Sequence, residues 1–242
     1  MKPLIKIFSF FLLTLTLSHA DSFELGIKAY ENGEYETAIE QFTKAAASNE
    51  TAAVRHNLAL SYYQIGQAAE AAWQIERALR IAPLKSEYHF KLSALRQQLG
   101  LFENEPSWHV LAAQFLRPEA WIIVAGVSFW LCLAAWILPR LGGIPTNMGI
   151  SAVRLIGLLA LLTALPALWQ NHRLAQNGIV ISSDASELHA APASAAPASG
   201  TARAGERARI IDEHENFYKV ETEAHVVGWI SKDEFRNLSN QG

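Results

Sequence analysis

The chain of 242 residues has a single cysteine, Cys132, which excludes an internal disulfide framework, a cysteine-based zinc site and a CxxC redox motif. Charged residues are also scarce, at 18% of the chain, against about 25% in typical soluble domains. The net charge of −3 provides no overall positive field of the kind that drives nucleic-acid binding. The apolar excess is concentrated in a few runs, which predicts membrane segments.

Signatures of catalysis are missing as well. The sequence contains no P-loop, no dinucleotide-binding fingerprint, no Gly-x-Ser-x-Gly elbow and no HExxH motif. The nearest acid–base neighbours, His214 and Glu215, fall in a predicted hairpin turn, where a solvent-exposed pair is the simpler interpretation. We therefore expect a protein that recognises partners rather than an enzyme, with no cofactor and no metal site.

Residues 1–20 have the layout of a secretory signal peptide. Lys2 and Lys6 give a positive start, an uncharged apolar run follows, and Ser18 and Ala20 place small residues where signal peptidase reads. The apolar run is too short for the roughly 20 residues of a spanning helix. An uncleaved anchor is the alternative, and both interpretations export the chain from residue 21 onward.

An internal repeat occupies residues 21–103. The segment that begins at Gly33 is echoed, 33 residues later, by the segment that begins at Gly66, and each reads as a helix, a glycine turn and a second helix. The spacing resembles tetratricopeptide (TPR) repeats, whose period is about 34 residues. Residues 86–99 predict a further helix. Because about three repeats are normally needed for stability, we expect that helix, or another part of the complex, to cover the open end.

Close helix packing explains the composition of the repeat. Small residues let paired helices approach, and large ones fill the gap between layers. The small positions are Gly26, Ala38, Ala59 and Ala71, and the large ones are Phe42 and Ile75.

The resemblance to TPR proteins implies that the first helix of each unit lines a groove that binds a peptide or protein. The residues that the family pattern places there are Phe23, Ile27, Tyr30, His56, Leu60, Tyr63, His89 and Arg96. Phe23, Ile27 and Leu60 have the alternative of packing inside the stack. Side chains with polar tips prefer a wet surface. The predicted partner-binding residues are therefore Tyr30, His56, Tyr63, His89 and Arg96.

Two uncharged stretches predict a transmembrane hairpin. Each is long enough as a helix to cross the roughly 30 Å of a hydrocarbon core, and Trp121 and Trp136 lie near the two ends of the first. Arg140 and Arg154 bracket the connecting loop, which is typical of a cytoplasmic loop. The predicted order is an interfacial helix at 104–118, a first spanning helix at 119–138, a cytoplasmic loop at 139–149 and a second spanning helix at 150–170.

Residues 176–240 predict a small all-β domain. The Ala/Pro/Ser-rich stretch 190–202 predicts a flexible loop, and residues 231–235 predict a one-turn helix. Short runs, most of them rich in β-branched and aromatic residues and with clear alternation of polarity at 207–211, predict the strands 179–181, 186–189, 207–211, 217–221 and 226–230.

This order of elements resembles bacterial SH3 domains. Their characteristic motifs appear here as Gly205-Glu206, Phe217-Tyr218-Lys219-Val220 and Gly228-Trp229-Ile230. The chain departs from the family where Leu188-His189-Ala190-Ala191-Pro192 stands in place of the usual Arg-x-Gly-Pro pattern, and the loop that follows is longer. Trp229 is expected to be a core residue rather than a ligand platform.

The predicted architecture is multi-domain: an all-α TPR domain, a two-helix transmembrane hairpin and a small all-β SH3-like barrel. A signal sequence and these parts, in this order, resemble the E-type proteins of bacterial aerotolerance (Bat) operons. The resemblance implies a non-catalytic partner of von Willebrand A-domain membrane proteins and a MoxR-type ATPase in envelope stress tolerance.

We therefore expect a scaffold in the cytoplasmic (inner) membrane, with the TPR and SH3-like modules on its extracytoplasmic side. Other membrane or periplasmic proteins are its expected partners. The main alternative is a sensor whose SH3-like domain binds the peptide of the cell wall (murein). A TPR factor in cytochrome assembly is a third interpretation.

Overall fold

A computed structural model describes residues 22–101, 112–113, 115–116, 118–142, 148–182 and 184–239. The chain forms two compact units: one combines residues 1–103 with residues 176–242, and the other consists of residues 104–175. The signal peptide predicted at 1–20 and most of the interfacial helix predicted at 104–118 lie outside the described residues. The first unit therefore contains two segments that are separated in sequence by the whole second unit.

Five helices occupy the described residues 22–101 of the first unit. Successive helices from α2 to α5 pack against one another. Phe42, Ala38 and Ala71 are fully buried, and a Cβ on Gly26 would lie 2.6 Å from Cε1 of Phe42. The predicted packing of small against large residues is therefore confirmed. The helices are α1 (22–31), α2 (Tyr35–Ser48), α3 (Ala52–Gln64), α4 (Ala68–Ile81) and α5 (Ser86–Gln98).

Three glycines end α1, α3 and α5 in the same way. Gly33, Gly66 and Gly100 have φ angles of +79°, +79° and +70°. This left-handed conformation suits glycine because it has no Cβ, and it closes a helix by bonding the last free carbonyls. The third glycine follows the second by 34 residues. The helix predicted at 86–99 is thus the start of a third unit with the same geometry at its end.

The second unit is a hairpin of two long helices, α6 (Pro118–Gly142) and α7 (Met148–Ala175), which pack against each other. Both are long and apolar enough to cross a membrane, by length and composition. The two helices extend further than predicted. Of the loop expected at 139–149, residues 139–142 belong to α6 and residues 148–149 belong to α7. The helices approach closely where Gly157 faces Cys132, because a Cβ on this glycine would meet the cysteine Sγ at 2.5 Å.

Arg154 has a protein partner inside this hairpin. Pro139 lies within α6 and has no N–H, so the carbonyl of Ala135, four residues earlier, lacks its usual helical donor. The Arg154 guanidinium donates to that oxygen from Nε at 3.0 Å and from Nη2 at 2.8 Å. Backbone groups in an apolar environment need internal partners. The Arg154 side chain, from α7, therefore replaces the N–H donor that Pro139 lacks in α6.

The other end of the hairpin is joined through one carbonyl. Trp121 Nε1, near the start of α6, donates to the Ala113 oxygen at 2.8 Å, and Asn171 Nδ2, near the end of α7, donates to the same oxygen at 3.1 Å. The segment before the hairpin is thus bonded to both helices.

Seven antiparallel strands form one sheet in the carboxy-terminal part, in the order β3-β2-β6-β5-β4-β1-β7. A core of apolar residues fills its inner side, including Val180, Leu188, Val220, Ile230 and Phe235. The strands are β1 (Asn177–Val180), β2 (Ser186–His189), β3 (Ala198–Ala202), β4 (Arg207–His214), β5 (Phe217–Thr222), β6 (Val227–Ser231) and β7 (Phe235–Asn237).

Two local predictions in this domain are wrong. The end of the predicted flexible loop is the strand β3, which pairs with β2 along the edge of the sheet. Only Ala202 of this strand is buried. Backbone pairing with β2 therefore stabilises β3, and its sequence shows no alternation of apolar residues that would predict a strand. The predicted one-turn helix after Trp229 is a turn at 232–234 that leads into β7. Phe235 is drawn into the core there, which favours the extended chain.

Candidate recognition surfaces

Tyr30 and Tyr63 occupy equivalent places at the ends of α1 and α3, three residues before the glycine that closes each helix. Gln64 Nε2 donates to the Tyr30 hydroxyl at 3.2 Å, which joins these neighbouring helices at their surface. The Tyr63 side chain is exposed. We call the surface of Tyr30, His56, Tyr63, Gln64 and Lys91 the first-helix surface.

His56 links α3 to α5 on this surface. Its ring lies 5.0 Å from that of Tyr88, and Lys91 Nζ donates to its Nε2 at 2.5 Å. Burial lowers the pKa of His56, the Lys91 charge lowers it further, and Glu87 opposes both effects. The imidazole is therefore neutral near pH 7 and accepts from the lysine. His89, by contrast, is exposed, and its Nε2 lies 2.7 Å from the Pro83 carbonyl.

Arg96 lies apart from the other predicted partner-binding residues. Its side chain is 1% exposed, and its Nη2 donates to both carboxylate oxygens of Glu223, at 2.9 and 2.7 Å. Glu223 belongs to the turn between β5 and β6. Since the β domain covers this end of α5, Arg96 contacts a residue of its own chain instead of facing an open groove.

The helices and the β domain share a polar interface. Trp73 Nε1 of α4 donates to the Asn237 carbonyl at 3.1 Å. Glu76 of α4 forms an ion pair with Arg207 of β4. Ile179 of β1 is fully buried although it lies outside the core cluster of the sheet, and β1 packs against α4. The sequence carries no repeat or motif that indicates these pairs, because each joins residues more than 100 positions apart.

Behind Trp73, a charge cluster joins α3 to α4. Glu50 accepts from Arg55 Nε at 2.7 Å and from Arg77 Nε at 2.9 Å. The two guanidinium groups lie 5.5 and 5.3 Å from the Trp73 ring centroid. Burial alone raises the pKa of Glu50, but the hydrogen bonds and charges of Arg55 and Arg77 outweigh it and hold the pKa below its usual value. This cluster orients the tryptophan that bonds to the β domain.

Trp229 lies at the centre of a row of side chains on the outer face of the sheet. Gly228 and Ile230 are buried on either side of it along β6, and because strand residues alternate between faces, Trp229 points outward. The prediction that it is a core residue is therefore wrong. In register across the strands, it faces His189 of β2 and Lys219 of β5, and Lys219 in turn faces Asp212 of β4.

The Trp229 ring has polar and aromatic neighbours on this face. Lys219 Nζ lies 5.9 Å from the ring centroid, and the His214 ring stands nearly perpendicular to it at 6.3 Å. We call His189, Asp212, His214, Lys219 and Trp229 the Trp229 face. A half-buried indole beside a lysine and an imidazole offers a flat apolar contact with donors around it, an arrangement suited to peptide or protein recognition.

Residues 184–235 match the family model described as "Bacterial SH3 domain". The carboxy-terminal part of the chain is a bacterial SH3 domain. The match covers β2 to the start of β7, so β1, which packs against α4, precedes the matched residues. The Trp229 face lies entirely within the matched part of the SH3 domain. No curated protein matches the chain.

Within the described residues, no group of three or more His, Cys, Asp and Glu side chains is placed to hold a metal ion. Glu50, His56 and Glu70, whose pKa values are shifted by burial and by neighbouring charges, lie in ion pairs, hydrogen bonds or interfaces between helices and strands. Burial raises the pKa of Glu70, and Arg236 offsets part of that rise. Each of these three groups therefore has a charged partner within the fold.

Proposed function

We propose that this protein is a membrane-anchored scaffold without catalytic activity of its own. The helical part, which we take to be TPR repeats, binds a protein segment on the first-helix surface, and the SH3 domain binds a second segment on the Trp229 face. The observation that carries the proposal is that the exposed Tyr63 and the half-buried Trp229 are each accompanied by polar side chains, while other residues of the two parts contact each other. Docking holds the two surfaces in a defined relation.

The docked unit also supports the proposed topology. If α6 and α7 each cross the bilayer, the second crossing returns the chain to the side that the first one left. The contacts of Arg96 with Glu223 and of Trp73 with Asn237 require the helices and the SH3 domain on one side. Together with the predicted signal peptide, this argument favours the extracytoplasmic side for both and the cytoplasm for the short connection.

A pair of reporters fused after residue 242 tests the topology. An alkaline phosphatase fusion should be active in cells, since the enzyme needs an oxidising compartment, and a green fluorescent protein fusion at the same place should be dark after export. Fluorescence with an inactive phosphatase would overturn the topology.

Crosslinking in intact cells tests the two surfaces. Two variants carry a photoreactive residue, one in place of Tyr63 and the other in place of Trp229. Each variant should capture a defined set of proteins, which mass spectrometry identifies. The matched controls are Leu84 and Ile211, which are exposed apolar residues elsewhere on the two parts. The same captured proteins at the control positions would contradict specific recognition by either surface.

The resemblance of the whole architecture to E-type aerotolerance proteins supplies the expected partners. We propose that the scaffold works in an envelope-stress complex with von Willebrand A-domain membrane proteins and a MoxR-type ATPase. Recovery of such proteins among the Tyr63 or Trp229 crosslinks would support this assignment, and their absence from both sets would contradict it.

The second candidate function is a cell-wall sensor, which the match to the bacterial SH3 family favours. In this case the Trp229 face binds the peptide of murein. The detergent-solubilised full chain should then sediment with purified peptidoglycan, and Trp229→Ala should abolish sedimentation while Ile211→Ala leaves it unchanged. No sedimentation of the unmodified chain would leave the protein scaffold as the better account.

A further inference from the structure

The chain begins a third helical unit without repeating its second half in sequence. In the first two units, Ala38 and Ala71 stand five residues after the closing glycine and are fully buried. Five residues after Gly100 the sequence has Glu105, followed by Pro106. A buried small residue, the feature that lets the second helix approach the first, is thus missing from the pattern of the third unit.

One equivalent position can be compared in all three units, and the comparison identifies what covers this position in the third unit. In each closing turn, the N–H after the glycine donates to a carbonyl five residues earlier: those of Ala29, Tyr62 and Arg96. Ala29 packs in a cluster with Ala38 and Phe42 of α2, and Tyr62 packs against the cluster that includes Ala71 and Ile75 of α4. The second helix of the unit covers this position in both cases.

In the third unit, the SH3 domain covers the equivalent position. Arg96 pairs with Glu223. A Cβ on Gly205, in the turn before β4, would meet the side chains of Leu99 and Leu101, so this turn lies directly on the residues around the third closing glycine. Arg203 Nη1 also reaches the carbonyl of Gly100, at 3.5 Å.

We propose that the SH3 domain takes the place, within the same chain, of the second helix of the third unit. The open end of the stack is therefore an interaction surface whose occupant is the chain's own carboxy-terminal domain. The helices at 22–101 and the strands at 177–237 then form one cooperative folding unit, although the hairpin separates them in sequence. This role is additional to ligand binding on the Trp229 face and holds whatever that face binds.

Charge complementarity specifies this docking. The α4 side contributes the acids Glu70 and Glu76, which face Arg236 at 4.0 Å and Arg207. On α5 the sign is reversed, since Arg96 faces Glu223. A partner with the wrong order of charges would place like charges together, which is unfavourable. The alternation therefore selects one orientation of the SH3 domain.

Hydrogen–deuterium exchange on the full chain in detergent tests the proposal by charge reversal. Arg96→Glu and Glu223→Arg should each lower the protection of backbone amides about tenfold on both sides of the interface, at 99–101 and at 203–206. Glu223 also lies 3.9 Å from Arg207 Nη1, so the double variant R96E/E223R should restore only part of that protection. Partial restoration requires that residues 96 and 223 meet, and protection no higher than in Arg96→Glu would overturn the proposal.

A milder variant and a control separate docking from folding. Glu223→Ala changes a partly exposed turn residue of the SH3 domain, yet it should speed exchange in the α5 turn at 99–101. The double reversal of the exposed pair Glu40 and Lys44 should leave exchange at both sites within about twofold of the unmodified chain. Unchanged exchange at 99–101 in Glu223→Ala, or a loss in the control equal to that in Arg96→Glu, would contradict docking through this pair.

Discussion

Two arginines, one in each unit, bind different kinds of acceptor. Arg96 lies under the SH3 domain and pairs with the Glu223 carboxylate, which is itself 41% exposed. Arg154 lies in the apolar hairpin and donates to the backbone carbonyl of Ala135. The sequence has no Asp or Glu between Glu119 and Asp184, so α6 and α7 offer Arg154 no acidic partner after the first turn of α6. Each guanidinium therefore donates to the kind of acceptor that its surroundings provide.

The comparison extends to how each unit is held together. The hairpin joins helices adjacent in sequence, and a proline creates the acceptor that its arginine fills. The first unit joins segments on either side of that hairpin through ion pairs. Changes of charge and pH should therefore act mainly on the first unit, and changes of backbone hydrogen bonding on the second.

The largest expected effect is the loss of the carboxylate between two arginines. Glu50→Gln keeps the shape of the side chain but removes the carboxylate charge that pairs with the partly buried Arg55 and the buried Arg77. We expect the free energy of unfolding of the first unit to fall by about 3 kcal/mol, measured by chemical denaturation in detergent. In the control Glu40→Gln, which breaks an exposed pair with Lys44, the loss should be much smaller, because water and salt screen exposed pairs. Equal losses would remove the distinction between the two kinds of pair.

The next largest effect concerns the hairpin. Arg154→Leu leaves the Ala135 carbonyl without a donor, and the hairpin should lose about 2 kcal/mol of stability. Pro139→Ala restores an N–H at the missing position, so Arg154→Leu should cost much less in that background. Unfolding of the hairpin in increasing denaturing detergent measures both costs. Equal costs in the two backgrounds would show that Arg154 does not act through the proline.

Acid should weaken the first unit through Glu50. Since the pKa of this carboxylate is lowered in the folded protein, its contribution is complete above its unfolded pKa, which is 4.5, and is lost as the pH falls further. The stability difference between the unmodified chain and Glu50→Gln should thus stay constant from pH 7 to about pH 5 and shrink below it. A difference that grows on acidification would contradict the lowered pKa.

The smallest expected effect belongs to His56. Its pKa is lowered from 6.5 in the folded protein, so protonation in the unfolded chain begins to destabilise the fold as the pH falls below that value. The unfolding temperature of the first unit should fall more from pH 7.5 to pH 5.5 in the unmodified chain than in His56→Gln. The unfolding temperature of the hairpin should change equally in both chains. An equal fall of the unfolding temperature of the first unit in both chains would contradict the role of His56.

Much of the fold could be predicted because the patterns that encode it are local. The spacing of Gly33 and Gly66 and the small residues five positions later predicted paired helices, and the uncharged runs predicted α6 and α7. Alternation of polar and apolar residues at 207–211 predicted the first part of β4. Where pairing of the backbone alone forms a strand, as at β3, no pattern of side chains indicated it.

The recognition surfaces were predicted less completely. Tyr30, His56 and Tyr63 lie together as the spacing of the helices implied, because equivalent positions of neighbouring units are adjacent in space. Arg96 followed the same spacing but lies under the SH3 domain. Trp229 was assigned to the core, although the burial of its two neighbours along β6 turns it outward.

The sequence by itself determined the helical units, the apolar spans and most of the strands, since each depends on residues a few positions apart. Only the tertiary structure decided that Arg96 meets Glu223, that Trp73 bonds to Asn237 and that Arg154 fills the place left by Pro139. These contacts join residues between 19 and 164 positions apart in the chain. Such meetings depend on the shape and charge of whole surfaces, which no local pattern of residues records.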